Sequence, residues 1–307
     1  MKLITTPDTS SRRIAAVGMY DGVHLGHRFL LEYMGVEARH RGLQPTAVTF
    51  SRHPLSLIRP LEAPALLSTL EDRVTALGRA GAEAVVVLSF NDSLRRLTAR
   101  EFMSLLHRKF GIDALVLGFN NRFGHDGLKT LEEYRRIGAE VGVEVIEAPE
   151  YRARETPVSS SAIRRLLTEG HPDRAAELLG HPFSIRGRVV DGNHLGRKLG
   201  FATANILPAD PALLIPRTGA YAVHVITPDG ERRPAMLNIG FRPTVSPDDK
   251  PEKLSIEAHI FDYQGYIYDE EIVVEFVKYL RPEKRFQDTD RLIRQLEADA
   301  KEAKKLL

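Results

Sequence analysis

From Arg13 to about Gly180 the chain alternates two hydrophobic periods. Near-continuous apolar runs occur at Ile14–Val17 (IAAV), Thr46–Phe50 (TAVTF), Ala84–Phe90 (AVVVLSF), Ala114–Phe119 (ALVLGF) and Val143–Pro149 (VEVIEAP). Between them, apolar residues recur at helical spacing in FLLEYMGVEARH, LEDRVTALGRAG, AREFMSLLHRKF and LKTLEEYRRIGAEVG. Strands with no polar alternation are buried on both faces, and helices of this length between them are the crossovers of a parallel sheet. SSSAIRRLLTEGHPDRAAELLGHP then predicts one or two short helices, broken at Gly170-His171-Pro172 and Gly180-His181-Pro182, which marks a seam.

After Phe183 only strands follow: SIRGRVV, FATANI, AYAVHVI, AMLNIG, LSIEAHIFDY and EIVVEFVKYL, punctuated by DGNHLG, TPDG, PDDKPEK and YQGYIYDE. With no helix between them, these predict a small antiparallel barrel. The tail QDTDRLIRQLEADAKEAKKLL returns to helical period. The expected organisation is an α/β parallel-sheet domain over residues 1–180 and a barrel with a C-terminal helix over 181–307.

Composition narrows the partners. At 307 residues the chain can bury two cores. Lys+Arg of 43 against Asp+Glu of 41 leaves a net charge of +2, so no field calls for nucleic acid or an anionic membrane. Cysteine is absent, which excludes disulfides, thiolate metal sites and cysteine nucleophiles. The N-terminal MKLITTPDTSSRR has no secretory apolar core, and no apolar run reaches the roughly 18 residues of a membrane span. The expectation is a soluble, cytoplasmic protein acting on small molecules.

The chemistry gathers where strands feed helices, at the carboxyl ends of the sheet. Asp21-Gly22-Val23-His24-Leu25-Gly26-His27-Arg28 follows the first apolar run. A helix N-terminus offers unpaired N–H groups and partial positive charge, Gly22 and Gly26 leave room for a phosphate, and His24 and His27 add ring donors. Capping or solvent-facing histidines and a zinc pair are the alternatives, and the sequence completes no zinc ligand set. In VSSSAIRR the hydroxyls of Ser159, Ser160 and Ser161 form an N-cap and anion nest, with Arg164 one turn in; an ordinary cap with a surface arginine is the plainer reading. His53-Pro54 reads equally as a loop turn, and Asn120 as a turn former.

Taken in order, these segments resemble the bacterial bifunctional riboflavin kinase/FMN adenylyltransferases, or FAD synthetases, whose first domain belongs to the H-x-G-H nucleotidyltransferases. HLGH within GMYDGVHLGHR, TFSRHP, GFNNRFG and VSSSAIRR match that family's motifs, with Phe119, Asn121 and Ala162 as departures. The resemblance implies a Rossmann-like nucleotidyltransferase domain. In it, Gly18, Asp21, Gly22, Gly26, Ser159, Ser160 and Arg164 would bind nucleotide, His24 and His27 would steady the transferring phosphorus, and His53, Asn120 and Arg122 would contact substrate.

SIRGRVVDGNHLGRKLGFATANI likewise resembles the riboflavin kinase module, with Ala202 where that module has proline. The resemblance implies Gly196 and Thr203 at the nucleotide, and Thr203 and Asn205 as Mg²⁺ ligands; a hydroxyl and an amide oxygen are hard neutral donors suited to that ion. Without it, FATAN reads as a strand end. In LSIEAHIFDY, Leu254, Ile256, Ala258 and Ile260 share one face and Glu257 and His259 the other. A solvated outward glutamate is the plain reading, whereas the resemblance makes Glu257 the catalytic base on the riboflavin 5′-hydroxyl. AMLNIGFRPTV and YLRPEKRF match further family segments, placing Asn238 and Arg281 on the flavin side, although Arg281 also reads as a surface charge. The implied substrates are riboflavin, FMN and ATP, with FMN and then FAD as products. A one-activity enzyme and a flavin-binding regulator without turnover are the rival readings.

Overall fold

The computed structural model describes residues 1–118, 122–151, 157–192, 199–242, 253–284 and 286–307. The chain divides into two compact units, Met1–Pro64 with Leu70–Ser159, and Ala65–Thr69 with Ser160–Leu307.

The first unit is a six-stranded parallel sheet covered on both faces. Its strands are β1 (Lys2–Ile4), β2 (Arg13–Val17), β3 (Gln44–Phe50), β4 (Ala84–Leu88), β5 (Ile112–Leu117) and β6 (Glu144–Glu147), in the order β1-β4-β3-β2-β5-β6. Each predicted apolar run is a strand. Alternation within β2 shows why they read as continuous: Ile14 and Ala16 pack under α1 (Leu25–Arg41) and α3 (Leu70–Arg79) with Leu31, Met34 and Leu77. Ala15 and Val17 pack on the opposite face with Phe102, Met103 and Leu106 of α5 (Ala99–Phe110) and Ile137 of α6 (Leu131–Val141). Both faces are apolar because both are roofed. Thr98/Glu101 and Thr130/Glu133 capping boxes start α5 and α6, fixing where each crossover begins. Short helices α2 (Leu55–Ile58) and α4 (Asp92–Arg95) follow β3 and β4. The unpredicted strand is β1, three residues long at the sheet edge, with Lys2 and Leu3 exposed.

The second unit is a closed antiparallel barrel. Its strands are β7 (Ser184–Val190), β8 (Ala204–Pro208), β9 (Gly219–Ile226), β10 (Arg232–Arg242), β11 (Lys253–Ile260) and β12 (Glu271–Arg281), closing as β10-β11-β8-β7-β12-β9. Six strands were predicted, but β8 starts at Ala204, and Phe201–Thr203 form its lead-in. Ile256, Ala258 and Ile260 of β11 are buried inside, while Glu257 and His259 lie on the outer face. Helix α9 (Thr289–Leu306) packs there, with Leu296, Ala300 and Ala303 against Ala222, Met236 and Phe261. Helices α7 (Ser160–Glu169) and α8 (Pro172–Leu179), counted with the first domain in the sequence, group with the barrel. The Leu167 carbonyl accepts from Arg217 N at 3.2 Å, and Asp173 pairs with Lys278 at 2.6 Å.

Candidate functional site

In the first unit the chain between β2 and α1 takes a strained path. Tyr20 has φ 52°, Gly22 79° and Val23 39°, and the turn is closed by Val23 N donating to the Tyr20 carbonyl at 3.0 Å. A β-branched residue in the left-handed region is an outlier that persists only where its surroundings impose it. The turn delivers His24 as the N-cap of α1, its Nδ1 accepting from His27 N at 3.3 Å. With Nδ1 so engaged, the neutral His24 ring carries its proton on Nε2. The His24 and His27 rings stack at 3.6 Å and 15°. Tyr20 meets the His27 ring edge-on at 5.2 Å.

His24 is therefore a cap, as one plain reading had it, and it is also held face to face with the second histidine. Burial, reinforced by neighbouring His24, holds the His27 pKa well below its ordinary value, so the ring is neutral at pH 7. A side chain at Gly26 would place its Cβ 3.3 Å from the His24 ring, so that glycine makes room for the histidine stack itself. Gly18 gives its space to Tyr20, whose ring lies 3.1 Å from where a Cβ would stand. No group of three or more His, Cys, Asp or Glu among the described residues is placed to hold a metal ion.

A cavity of about 690 Å³ lies at the carboxyl ends of β2–β4, walled by Phe50, Phe90 and Phe123 and edged by Arg95, Arg96 and Arg122. Phe50 and Phe90 meet edge to face at 5.5 Å. Tyr134 fixes the wall by donating to the Phe123 carbonyl at 2.7 Å and accepting from its N–H at 3.0 Å. Aromatic faces with guanidinium edges suit a flat conjugated ring bearing an anionic group. Arg122 thus lines a cavity, as its expected substrate role requires. His53 does not; its Nδ1 accepts from Leu55 N at 3.2 Å and holds the turn into α2, which is the plainer of its two readings. Asn120, with Phe119 and Asn121, lies outside the described residues. Ser159 closes the first unit; Ser160 opens α7, and Arg164 Nε donates to the Ala65 carbonyl at 2.6 Å.

The barrel sets its candidates in a single row. Arg281 of β12 pairs with Ala220 of β9, Ala220 with Asn238 of β10, Asn238 with Glu257 of β11, and Glu257 with Asn205 of β8. Directly paired residues share a face, so these side chains stand side by side on the outside of the barrel, and Arg281, Ala220, Asn238 and Glu257 line a cavity walled by α9. Thr203 Oγ1 donates to Glu257 Oε2 at 3.5 Å. The His259 ring donates through Nδ1 to the Ala202 carbonyl at 2.8 Å, tying down the lead-in that carries Thr203. Asn205 is buried at 8% exposure, and a Cβ on Gly192 would fall 2.0 Å from its Nδ2. Gly196 lies outside the described residues.

Two cavities meet at Thr203. One, of about 230 Å³, is lined by Glu257, Asn238, Arg281 and the apolar Phe201, Leu292 and Leu296; the other, of about 170 Å³, by Tyr263, Tyr266, Ile267 and Tyr268. Arg281 is no surface charge, since it grips Asp299 of α9 with Nε at 3.0 Å from both carboxylate oxygens and Nη2 at 2.6 Å.

The comparisons with known proteins agree with both halves. The FAD synthetase family pattern matches residues 6–162, and the riboflavin kinase pattern matches residues 179–307. The chain is 32% identical over 303 residues to the bifunctional riboflavin kinase/FMN adenylyltransferase of Listeria monocytogenes, covering 98% of this chain and 95% of that protein. The chain belongs to the bifunctional riboflavin kinase/FMN adenylyltransferase family. The bifunctional riboflavin kinase/FMN adenylyltransferase of Pseudomonas fluorescens is 35% identical, covering 95% of this chain and 92% of that protein. A crystal structure described as a macrolide-efflux protein from Streptococcus pneumoniae superposes with a TM-score of 0.88 at 30% identity, covering 98% of each chain. No helix among the described residues is long and apolar enough to cross a membrane.

At Ala202 the backbone carbonyl accepts from the His259 ring, an acceptor that a proline in that position would also supply. Two sets of residues escaped the sequence reading. Asp299 and its α9 neighbours Leu292 and Leu296 line the cavity that holds Glu257, Asn238 and Arg281; the signal was an acidic residue within an apolar stripe, which demands a buried partner. Arg73 of α3 is buried at 1% exposure on the face it shares with Leu77, again a charge where helical period calls for hydrocarbon.

Proposed function

We propose that the barrel phosphorylates riboflavin to FMN, and that the parallel-sheet unit adenylylates FMN to FAD, each step consuming one ATP. Residues 1–180 are assigned to the adenylyltransferase and 181–307 to the kinase. The observation that carries the reading is the row Arg281–Ala220–Asn238–Glu257–Asn205, which sets a carboxylate between two amides under an apolar roof.

In the kinase step, the Glu257 carboxylate takes the proton of the riboflavin 5′-hydroxyl as that oxygen bonds to the γ-phosphorus, and the bond to ADP breaks. The isoalloxazine lies in the cavity with Phe201, Leu296 and Arg281, and ATP enters from the tyrosine-lined side; Thr203 lines both. Thr203 and Asn205 would hold Mg²⁺. A hydroxyl 3.5 Å from a carboxylate and a buried amide are hard oxygen donors that fit an ion arriving with phosphates. When bound, the ion neutralises charge on the polyphosphate.

In the second step an FMN phosphate oxygen attacks the α-phosphorus of ATP, and pyrophosphate leaves. The cavity with Phe50, Phe90 and Arg122 takes the flavin. Neutral His27 and the Nε2–H of His24 donate to oxygens on the reacting phosphorus, and incoming negative charge favours a proton on His27. Neither step needs a covalent intermediate. The cytoplasm is the proposed compartment.

Incubating the purified chain with riboflavin, ATP and Mg²⁺ and separating the flavins by chromatography tests the reading. FAD supports it, FMN alone points to a kinase-only enzyme, and unchanged riboflavin to a binder without turnover.

A further inference from the structure

The strained loop before His24 rests on a buried charge. Arg73 is 1% exposed and Asp21 2%. Arg73 Nη2 donates to the Phe50 carbonyl, at the end of β3, at 2.7 Å, and Nη1 reaches the Met19 sulfur at 3.7 Å. Burial pulls the guanidinium toward neutrality, and Asp21 is the charge that opposes this. Thr49 adds a second tie, donating to the Met19 carbonyl at 3.2 Å.

Four buried side-chain nitrogen or oxygen atoms among the described residues have no hydrogen-bond partner, and three of them are Tyr20 Oη, His27 Nδ1 and Arg73 Nε. Orphaned polar atoms and left-handed backbone at Tyr20 and Val23 both cost free energy, and here they coincide. A guanidinium removed from water beside one carboxylate is a poor device for stability, since hydrocarbon of the same length serves a core as well or better. Hydrocarbon could not tie the end of β3 to the Met19 end of the loop.

We propose that Arg73 is a positioning residue for adenylyl transfer: its buried fork, tied to the Phe50 carbonyl and reaching the Met19 sulfur, holds the Met19–Val23 loop in its left-handed path and so sets His24 and His27 at the reacting phosphate. The inference rests on the adenylyltransferase reading of those histidines. It acts on geometry that matters in the transition state, so its loss shows in kcat more than in KM.

The test measures FAD formation from FMN and ATP by Arg73→Met, Arg73→Lys and His27→Ala, with thermal melting and riboflavin phosphorylation followed on the same preparations. Arg73→Met is expected to melt close to the parent while its adenylylation kcat falls by about ten- to a hundredfold, with KM for ATP and FMN within about threefold. Arg73→Lys, which restores a buried cationic donor toward the Phe50 carbonyl, recovers most of that loss. Should Arg73→Met not fold, Arg73→Gln carries the same expectation. Unchanged kcat in the folded variant, or a loss confined to KM, overturns the positioning role. If His27→Ala keeps its full FAD yield, the histidine reading fails instead; if His27→Ala loses FAD while Arg73→Met does not, only the Arg73 inference fails.

Discussion

Truncating Asp299 to alanine tests how the C-terminal helix closes the kinase cavity. The substitution removes the three Arg281 contacts at 3.0, 3.0 and 2.6 Å, and a fourth from Gln295 Nε2 at 2.8 Å. The side chains of the pair are 19% and 7% exposed, so the guanidinium left behind is mostly desolvated and keeps the Pro282 carbonyl at 3.0 Å and the face of the Phe286 ring. Removing one partner of a buried pair costs about 3–5 kcal/mol, and the partial exposure of Arg281 favours the lower end of that range. The cost falls on the docking of α9, whose other attachments include the apolar contacts of Leu296, Ala300 and Ala303 and the reach of Lys304 to Asp262 and the Phe261 ring. Because Asp299, Leu292 and Leu296 also line the cavity proposed to take the isoalloxazine, a loosened helix is expected to weaken riboflavin binding.

The expected outcome is a barrel unfolding transition about 3 kcal/mol less stable, a riboflavin KM raised by about tenfold or more, and unaltered FAD synthesis from supplied FMN. Denaturant titration and steady-state kinase assays read the first two. A loss below about 1 kcal/mol with unchanged KM would reduce the clamp to an ordinary surface ion pair and refute the reasoning. The double replacement Arg281→Met with Asp299→Leu separates two roles. Apolar side chains of similar length are often neutral or stabilising in such a place, so melting recovers. Riboflavin affinity recovers with it only if Arg281 acts through the helix and not by touching the flavin.

The split between what the chain announces and what it conceals follows from locality. Contiguous apolar runs announced the strands from β2 to β6 because each is buried on both faces, a property of the segment alone. The pattern of β11 placed Glu257 opposite Ile256 and Ala258 for the same reason. That Asn205 and Asn238 flank Glu257, and that Arg281 stands two strands beyond, depends on register around a closed barrel, which no single strand encodes. His24 shows a second limit. Helix capping and ring stacking arise from a turn in which Val23 adopts φ 39°, against the preference of a β-branched residue, so local propensity argues against the observed geometry. Arg73 shows a third, because an arginine in a helical segment reads as solvated until the sheet above it is known. The roles assigned to His24, Asn205, Asn238, Glu257 and Arg281 came from family resemblance, while their spatial grouping, and the role of Arg73, came from the fold.

Three further outcomes are expected. Glu257→Gln keeps the size and a hydrogen bond to Thr203 while removing the base, so riboflavin phosphorylation falls by about 10²–10⁴ in kcat with FAD synthesis from FMN intact; a kinase rate within tenfold of the parent would dismiss Glu257 as the proton acceptor. Gly192→Ala drives a Cβ to 2.0 Å from Asn205 Nδ2, so Asn205 must swing out of its buried place and kinase activity drops while adenylylation persists, as paired assays on one preparation would show. The third is a pH dependence set by His27. Its folded pKa lies well below 6.5, for burial first and His24 second. Below the unfolded value the unfolded chain binds a proton that the folded ring refuses, so stability is full above pH 6.5 and falls with pH until the folded pKa is reached. Between pH 7.5 and 5.5 this one group removes on the order of 1 kcal/mol from the first unit. His27→Gln cannot titrate, so its stability curve should flatten by that amount relative to the parent. Parallel curves for the two proteins would mean that the ring is protonated in the folded chain, and that the neutral donor assigned to the reacting phosphate is an imidazolium from the start.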